Sequence, residues 1–428
     1  MKHHLLRLLM TGALVSCALS GSGLCAGWFQ YRGAKVDGVS GERIQSTFPA
    51  GAPKCVWRAP TPAGFSSFAI DDGKAFTLVT REIDGTRTEA CLALDAKSGK
   101  ELWAVGVGAA KYPGGGESGT SDNQGGDGPR STPAAGGGRV YVYSSEMVLR
   151  CLDANSGKSL WAKDLIKEFG GQNLQWKSAM SPVLDGGLVF VAGGGPGQSM
   201  IAFNQTGAVA WKVGDDKPTY ATPTLATLQG TRQVIFLMQS GLVALEAATG
   251  KALWKFAFPY RTATACSPVV AGDVVFCTAG YEVGGAACRV SKTGADFEPK
   301  EIWRVKGNEP LASLWSTPVQ KDGCLYGMIS FKKFGRGPLK CVDLSDGKVK
   351  WEQAGFGAGQ VLLAGNCLVA LSDTGEVVIA EASPDHYQEL GRFKAVSGKC
   401  WSSPGLNQGR LYVRSTKEGA CFDLSATN

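Results

Sequence analysis

The hairpin "CLDANSGKSLW", Cys151 to Trp161, recurs along the chain, and that recurrence constrains the fold more than any single residue does. Relatives of it end at Trp103 in "LALDAKSGKELW", at Trp254 in "ALEAATGKALW" and at Trp351 in "CVDLSDGKVKW". Each hairpin closes one repeating unit. A Ser/Thr-Pro pair opens the unit, an apolar strand and a Gly turn follow, and a second strand such as "RVYVYSS" precedes the hairpin. Openers stand at Thr132-Pro133, Ser181-Pro182, Thr222-Pro223, Ser267-Pro268, Thr317-Pro318 and Ser403-Pro404, with weaker copies at Ser67-Phe68 and Gln360-Val361. Closers are Trp57, Trp103, Trp161, Trp211, Trp254, Trp303, Trp351 and, with Phe replacing Trp, Phe393.

Successive closers lie 42 to 58 residues apart, with four short β-rich runs per unit. That spacing matches a propeller blade rather than a helical solenoid. The chain is therefore expected to be all-β, an eight-bladed β-propeller. The first closer, "KCVWRAP" around Trp57, has no opener, and the last opener, at Ser403-Pro404, has no closer. Joined, they make the eighth blade from both ends of the chain, a clasp that removes free sheet edges. The expected divisions are a leader over 1–26, a lead-in over 27–54, the propeller over 55–424 and a tail over 425–428. Within the hairpin, Asp153 can hydrogen-bond the backbone two residues on, Gly157 can take positive φ, and Trp161 has the apolar area to cover a seam between sheets. These are framework roles.

Composition fits this fold. Hydrophobic residues make up 44% and charged residues 19% of the 428, enough to bury a large core, and the 59 glycines suit many tight turns. Lys2, His3, His4 and Arg7 precede an apolar run from Leu8 to Leu19, then small residues, the pattern of a secretory signal. Two processing readings stand: cleavage after Ala26, or lipidation of Cys17 in "LVSC" as a membrane anchor. The chain is thus expected to be exported, to the periplasm or envelope of a Gram-negative-type cell, and to be a monomer. Removing Lys2 and Arg7 leaves 42 basic against 37 acidic residues, a net +5 without a Lys/Arg block, which speaks against a nucleic-acid partner. Cys151, Cys341 and Cys421 share one repeat position held by Ala93 and Ala244 elsewhere, so small buried thiols are expected there. Cys277 and Cys288 fall on neighbouring strands and could pair, although connectivity does not follow from sequence.

The unit "LDANSGKSLW" resembles the tryptophan-docking repeat of the pyrroloquinoline quinone (PQQ) propeller superfamily, which includes quinoprotein alcohol dehydrogenases and the outer-membrane assembly lipoprotein. "WFQYRGAKVDGVS", with "GPRSTP" at Gly128 to Pro133, is similar to exported PQQ-like repeat proteins. The resemblance runs from Trp28 to about Leu424 and implies the fold. It does not settle activity, because such repeats occur in enzymes and in scaffolds. Where the family's dehydrogenases use adjacent cysteines against the quinone, this chain has no Cys-Cys pair, and about fifty residues per blade leave little room for their inserted catalytic loops. No cofactor is assigned; PQQ enters only with the alternative reading.

Other chemistries find little support. His386 is the one histidine beyond the leader, and no two cysteines beyond it lie closer than eleven residues, so neither a triad nor a zinc knuckle is expected, and no metal site. "GGGPG" at 193–197 and "GGG" at 114–116 lack the Lys-Ser/Thr of a phosphate loop. Catalytic residues stay unassigned, and the 37 acids are too many to choose a pair.

What differs between repeats is the position two residues before each opener: Phe65, Arg130, Ala179, Tyr220, Ala265, Trp315, Ala358 and Trp401. In propellers the first strand of each blade lines the central channel, so these positions ring its mouth. Four aromatics and Arg130 could stack a sugar, a flat ring or a peptide and fix an anionic group, or could pack the channel entrance. Trp176 and Lys177 approach the same face, as does the Gly-rich loop from Tyr112 to Gly128, whose composition predicts mobility. The binding candidates are Phe65, Arg130, Trp176, Lys177, Tyr220, Trp315 and Trp401, and the partner a protein, a small molecule or a carbohydrate. The leading expectation is a binding or protein-interaction scaffold of the cell envelope. The alternative is a PQQ-dependent or other oxidoreductase with its site at the channel mouth.

Overall fold

A computed structural model describes residues 27–48, 51–112, 128–331 and 333–426. The leader, with Cys17, and the central part of the Gly-rich loop lie outside the described residues. The chain forms eight sheets of four antiparallel strands, each running inner to outer in sequence order, and so is an eight-bladed propeller. The blades begin at Ala69, Ala134, Val183, Thr224, Val269, Val319, Gln360 and Gly405. The eighth takes its outer strand, Cys55–Pro60, from the N-terminal side, paired with Glu418–Asp423, so the expected clasp is present. One short helix, Leu165–Phe169, lies between blades 2 and 3, capped by the Asp164 carboxylate and by Gly170 in the left-handed region.

The sequence makes these sheets locally. The first two strands of several blades are joined by two-residue turns with positive φ at both positions, as at Asp72-Gly73, Asp322-Gly323 and Gln408-Gly409, which match the twist of a hairpin. The closing hairpins use the Asp as expected: Asp153 Oδ1 accepts from the Asn155 N–H (3.1 Å), the Ser156 N–H (2.9 Å) and the Ser156 hydroxyl (2.7 Å).

The tryptophans dock between blades. The indole N–H of Trp57 donates to Ala96 O (3.0 Å), Trp103 to Ala154 O (3.1 Å), Trp161 to Gln205 O (2.9 Å) and Trp211 to Ala247 O (3.0 Å), in each case on the closing turn of the next blade. The turn glycine lies flat under the ring: a Cβ at Gly157 would stand 2.8 Å from the Trp103 ring, and one at Gly250 would stand 2.6 Å from Trp211. The glycine therefore serves close approach as well as positive φ. Trp254 departs from the pattern by donating to Gln233 Oε1 within its own blade (2.8 Å).

Cys151, Cys341 and Cys421 are fully buried, as their repeat position predicts. Cys277 and Cys288, which their neighbouring strands would have allowed to pair, do not. Cys277 sits opposite Ala286 and Cys288 opposite Val275, and both are free thiols.

The lead-in is more than a connector. It crosses the central channel: Ile70 N–H donates to Trp28 O and Ala135 N–H to Phe29 O (both 2.8 Å), while Leu184 N–H donates to the Gln30 side chain (2.7 Å). These contacts stitch it to blades 1, 2 and 3. The Arg32 guanidinium, 1% exposed, then donates to Thr317 O (2.9 Å), Pro318 O (2.8 Å), Val361 O (3.4 Å) and Asp37 O (3.0 Å), tying blades 6 and 7. Val39–Ser40 adds a fifth, parallel strand at the inner edge of blade 7. Glu42 then accepts from Gln408 N–H and Gly409 N–H at a turn of blade 8 opposite the opener face, before the chain reaches its outer strand.

Candidate functional site

Seven of the eight positions that precede the openers line one cavity of about 430 Å³ on the opener face: Phe65, Arg130, Ala179, Tyr220, Ala265, Trp315 and Trp401. The eighth, Ala358, sits behind the wall and accepts the Trp315 indole N–H at 3.0 Å. Trp176 joins the lining. Lys177 does not: its ammonium is drawn into an ion pair with Glu146 (3.0 Å) beside the site.

The two halves of the cavity differ. On one side Phe65, Trp401, Trp315 and Phe334 pack on one another, with centroids 4.8 Å apart for Phe65–Trp401, 4.5 Å for Trp315–Trp401 and 5.3 Å for Phe334–Trp401. The small Ala358 between blades 6 and 8 leaves room for the two indoles to meet. Lys399 places its ammonium 4.5 Å from the Trp401 ring centroid. Trp401, 5% exposed, packs the wall, while half-buried Trp315 lines the cavity beside it.

Across from them stand Arg130, Trp176, Tyr220 and Tyr281. Arg130 donates to Trp176 O at 2.8 Å, and the Tyr220 hydroxyl accepts Trp176 N–H at 3.2 Å, so the cation and two rings hold one another in place. Burial pushes the Tyr220 hydroxyl up to about 12, partly opposed by the charge of Arg130, so it stays neutral at physiological pH. Ala179 and Ala265 leave the gaps between these walls.

The residues that sequence reasoning passed over come from two sources. Tyr281 and Phe334 belong to loops joining the second and third strands of blades 5 and 6, which open on the same face as the openers. Tyr31 comes from the lead-in that crosses the channel and joins the lining. His386 lies exposed on a turn of blade 7 and takes no part in the lining.

Among the described residues no lining side chain is a carboxylate, and no three His, Cys, Asp or Glu side chains converge. The donor set therefore does not fit a quinone held with a divalent ion by protein carboxylates, and no step is derived through one.

The family model described as outer membrane protein assembly factor BamB matches residues 87–353, more than half of the chain. The chain belongs to that family. Outer membrane protein assembly factor BamB of Moranella endobia is 27% identical over 281 residues, an alignment that takes in 61% of this chain and 66% of the relative, just under two thirds of its length. Among solved structures, BamB from Moraxella catarrhalis superposes with a TM-score of 0.59 at 14% identity, covering 88% of this chain and 99% of that one. Quinohemoprotein alcohol dehydrogenase from Comamonas testosteroni superposes with a TM-score of 0.63, also at 14% identity, covering 94% and 81%. At such identities the likeness is one of fold, shared between a BamB and a dehydrogenase.

Proposed function

We propose that this protein is a cell-envelope scaffold that binds a partner protein in the aromatic cavity on its opener face. The observation that carries the reading is the convergence of seven equivalent but dissimilar repeat positions on one concave, mostly apolar cavity. Framework positions repeat from blade to blade, whereas these do not, and a concave aromatic surface with one placed cation is a common form of binding site. The envelope assignment and a protein as the partner are supported by membership of the BamB family, whose name describes outer membrane assembly. The oxidoreductase alternative gains nothing from the donor set of the cavity.

The test is to fill the cavity. Ala265 is half-buried and borders the open space. Ala265→Trp should place an indole there and reduce partner binding at least tenfold while leaving the melting temperature within a few degrees of the native value, as measured by affinity titration and thermal unfolding. Undiminished binding by a folded Ala265→Trp protein would contradict the assignment.

A further inference from the structure

Five opener hydroxyls, set in a ring around the cavity, each accept the opener N–H of the preceding blade. Ser67 N–H donates to the Thr132 hydroxyl (2.9 Å), Thr132 to Ser181 (2.9 Å), Ser181 to Thr222 (3.0 Å), Ser267 to Thr317 (3.0 Å) and Ser403 to Ser67 (2.7 Å). Blade 7 carries Gln360 where the others carry Ser or Thr, and there the ring is broken. The Gln360 amide group turns back to Trp315 O (3.0 Å) and Trp401 O (3.5 Å), two acceptors that fix which end of the carboxamide is nitrogen.

Three buried polar atoms at this corner make no hydrogen bond with any described residue: Gln360 Oε1, Ser403 Oγ and Trp401 Nε1. Their residues are 3%, 4% and 5% exposed, and all three line the cavity. The ring is also open between blades 4 and 5, where Ser267 Oγ has no partner, but Ser267 is not part of the lining. Buried polar atoms left without partners are destabilising, so three at one corner of one cavity are a standing demand for an outside partner.

We infer that the corner formed by Gln360, Trp401 and Ser403 is a hydrogen-bonding subsite for a neutral amide, the peptide group of a partner segment whose apolar or aromatic side chain lies against Trp315 and Trp401. The indole N–H only donates, the carboxamide oxygen only accepts and the hydroxyl does either, so the corner asks for an acceptor and a donor together. None of the described lining side chains is a carboxylate that would select a cation. A sugar would bring several hydroxyls into a wall that is mostly aromatic, leaving most of them without partners. A peptide group beside an apolar side chain satisfies both halves. The inference rests on the cavity reading above and adds the chemistry of the occupant.

The probe is N-acetylphenylalaninamide, a neutral aromatic amide, titrated calorimetrically into the purified chain, with methyl glucoside as the saccharide arm. Ser403→Ala should weaken amide binding roughly fivefold, the worth of one hydrogen bond, with the melting temperature unchanged or raised because an unsatisfied group has been removed. Gln360→Thr removes the carboxamide oxygen, putting in its place a hydroxyl like those that accept opener N–H groups in the other blades, and should weaken binding by a similar factor. Amide binding that both variants leave unchanged, or binding of methyl glucoside without the amide, overturns the inference. So does a fall in the melting temperature of Ser403→Ala, which would show its hydroxyl already engaged inside the protein. If both corner variants bind like the native chain while Ala265→Trp does not bind, the cavity assignment stands and the corner assignment falls.

Discussion

At the scale of residues, the interior is organised by a few polar groups placed in apolar surroundings. Glu89, on the third strand of blade 1, is fully buried; it accepts the Tyr112 hydroxyl (2.5 Å) and the Ser145 N–H (3.0 Å). Burial pushes its carboxyl above the usual range, and these hydrogen bonds together with the charge of Arg130 oppose that rise. The sign follows. A carboxyl whose folded pKa is raised contributes stability fully present below the unfolded value, about 4.3, and lost as pH rises through the folded value. The difference in melting temperature, Glu89→Gln minus native, should therefore grow from acid to neutral pH. A pH-independent or shrinking difference in thermal unfolding would contradict the assignment. The tryptophans and glycines of the closers, by contrast, were readable one residue at a time, because each repeats the same job.

At the scale of elements, the lead-in shows where sequence reasoning stops. The clasp was legible because an unmatched closer and an unmatched opener stand near opposite ends of the chain. The channel crossing by Trp28–Val39 was not, since its partners are backbone carbonyls and amides of five blades, and those leave no period or motif in "WFQYRGAKVDGV". The same holds for Tyr31 in the lining of the cavity. Gln360 was visible as a deviant opener, but its meaning depends on the hydroxyl ring, which only the folded register reveals. Arg32 is the rivet of the crossing. Arg32→Ala would strand carbonyls that now accept from a buried cation, at a cost of about 3 kcal/mol or more. Denaturant unfolding should register that loss, together with weaker ligand binding as Tyr31 loses its support; a loss under about 1 kcal/mol would mean that the plug is held elsewhere.

At the scale of the whole molecule, closure and recognition divide between repeating and non-repeating positions. Docked tryptophans, turn glycines and opener hydroxyls carry the eight-fold frame, and the clasp and the plug seal it. The cavity is built where the copies differ, from Phe65, Arg130, Tyr220, Trp315 and Trp401 with the gaps left by Ala179 and Ala265. Of the seven binding candidates drawn from the sequence, six line that cavity, because blade register fixes the face and radius of a position. Lys177 fell outside because register does not fix the rotamer of a long side chain with an acid within reach. The central claim is that this face, and not the outer rim of the blades, meets the partner. The direct measurement is photo-crosslinking in envelope preparations with p-benzoylphenylalanine replacing Trp176 at the cavity or Lys348 on the outer hairpin of blade 6. An adduct from position 176 that disappears in the Ala265→Trp background, with none from position 348, is the predicted result; adducts from 348 and none from 176 would contradict it.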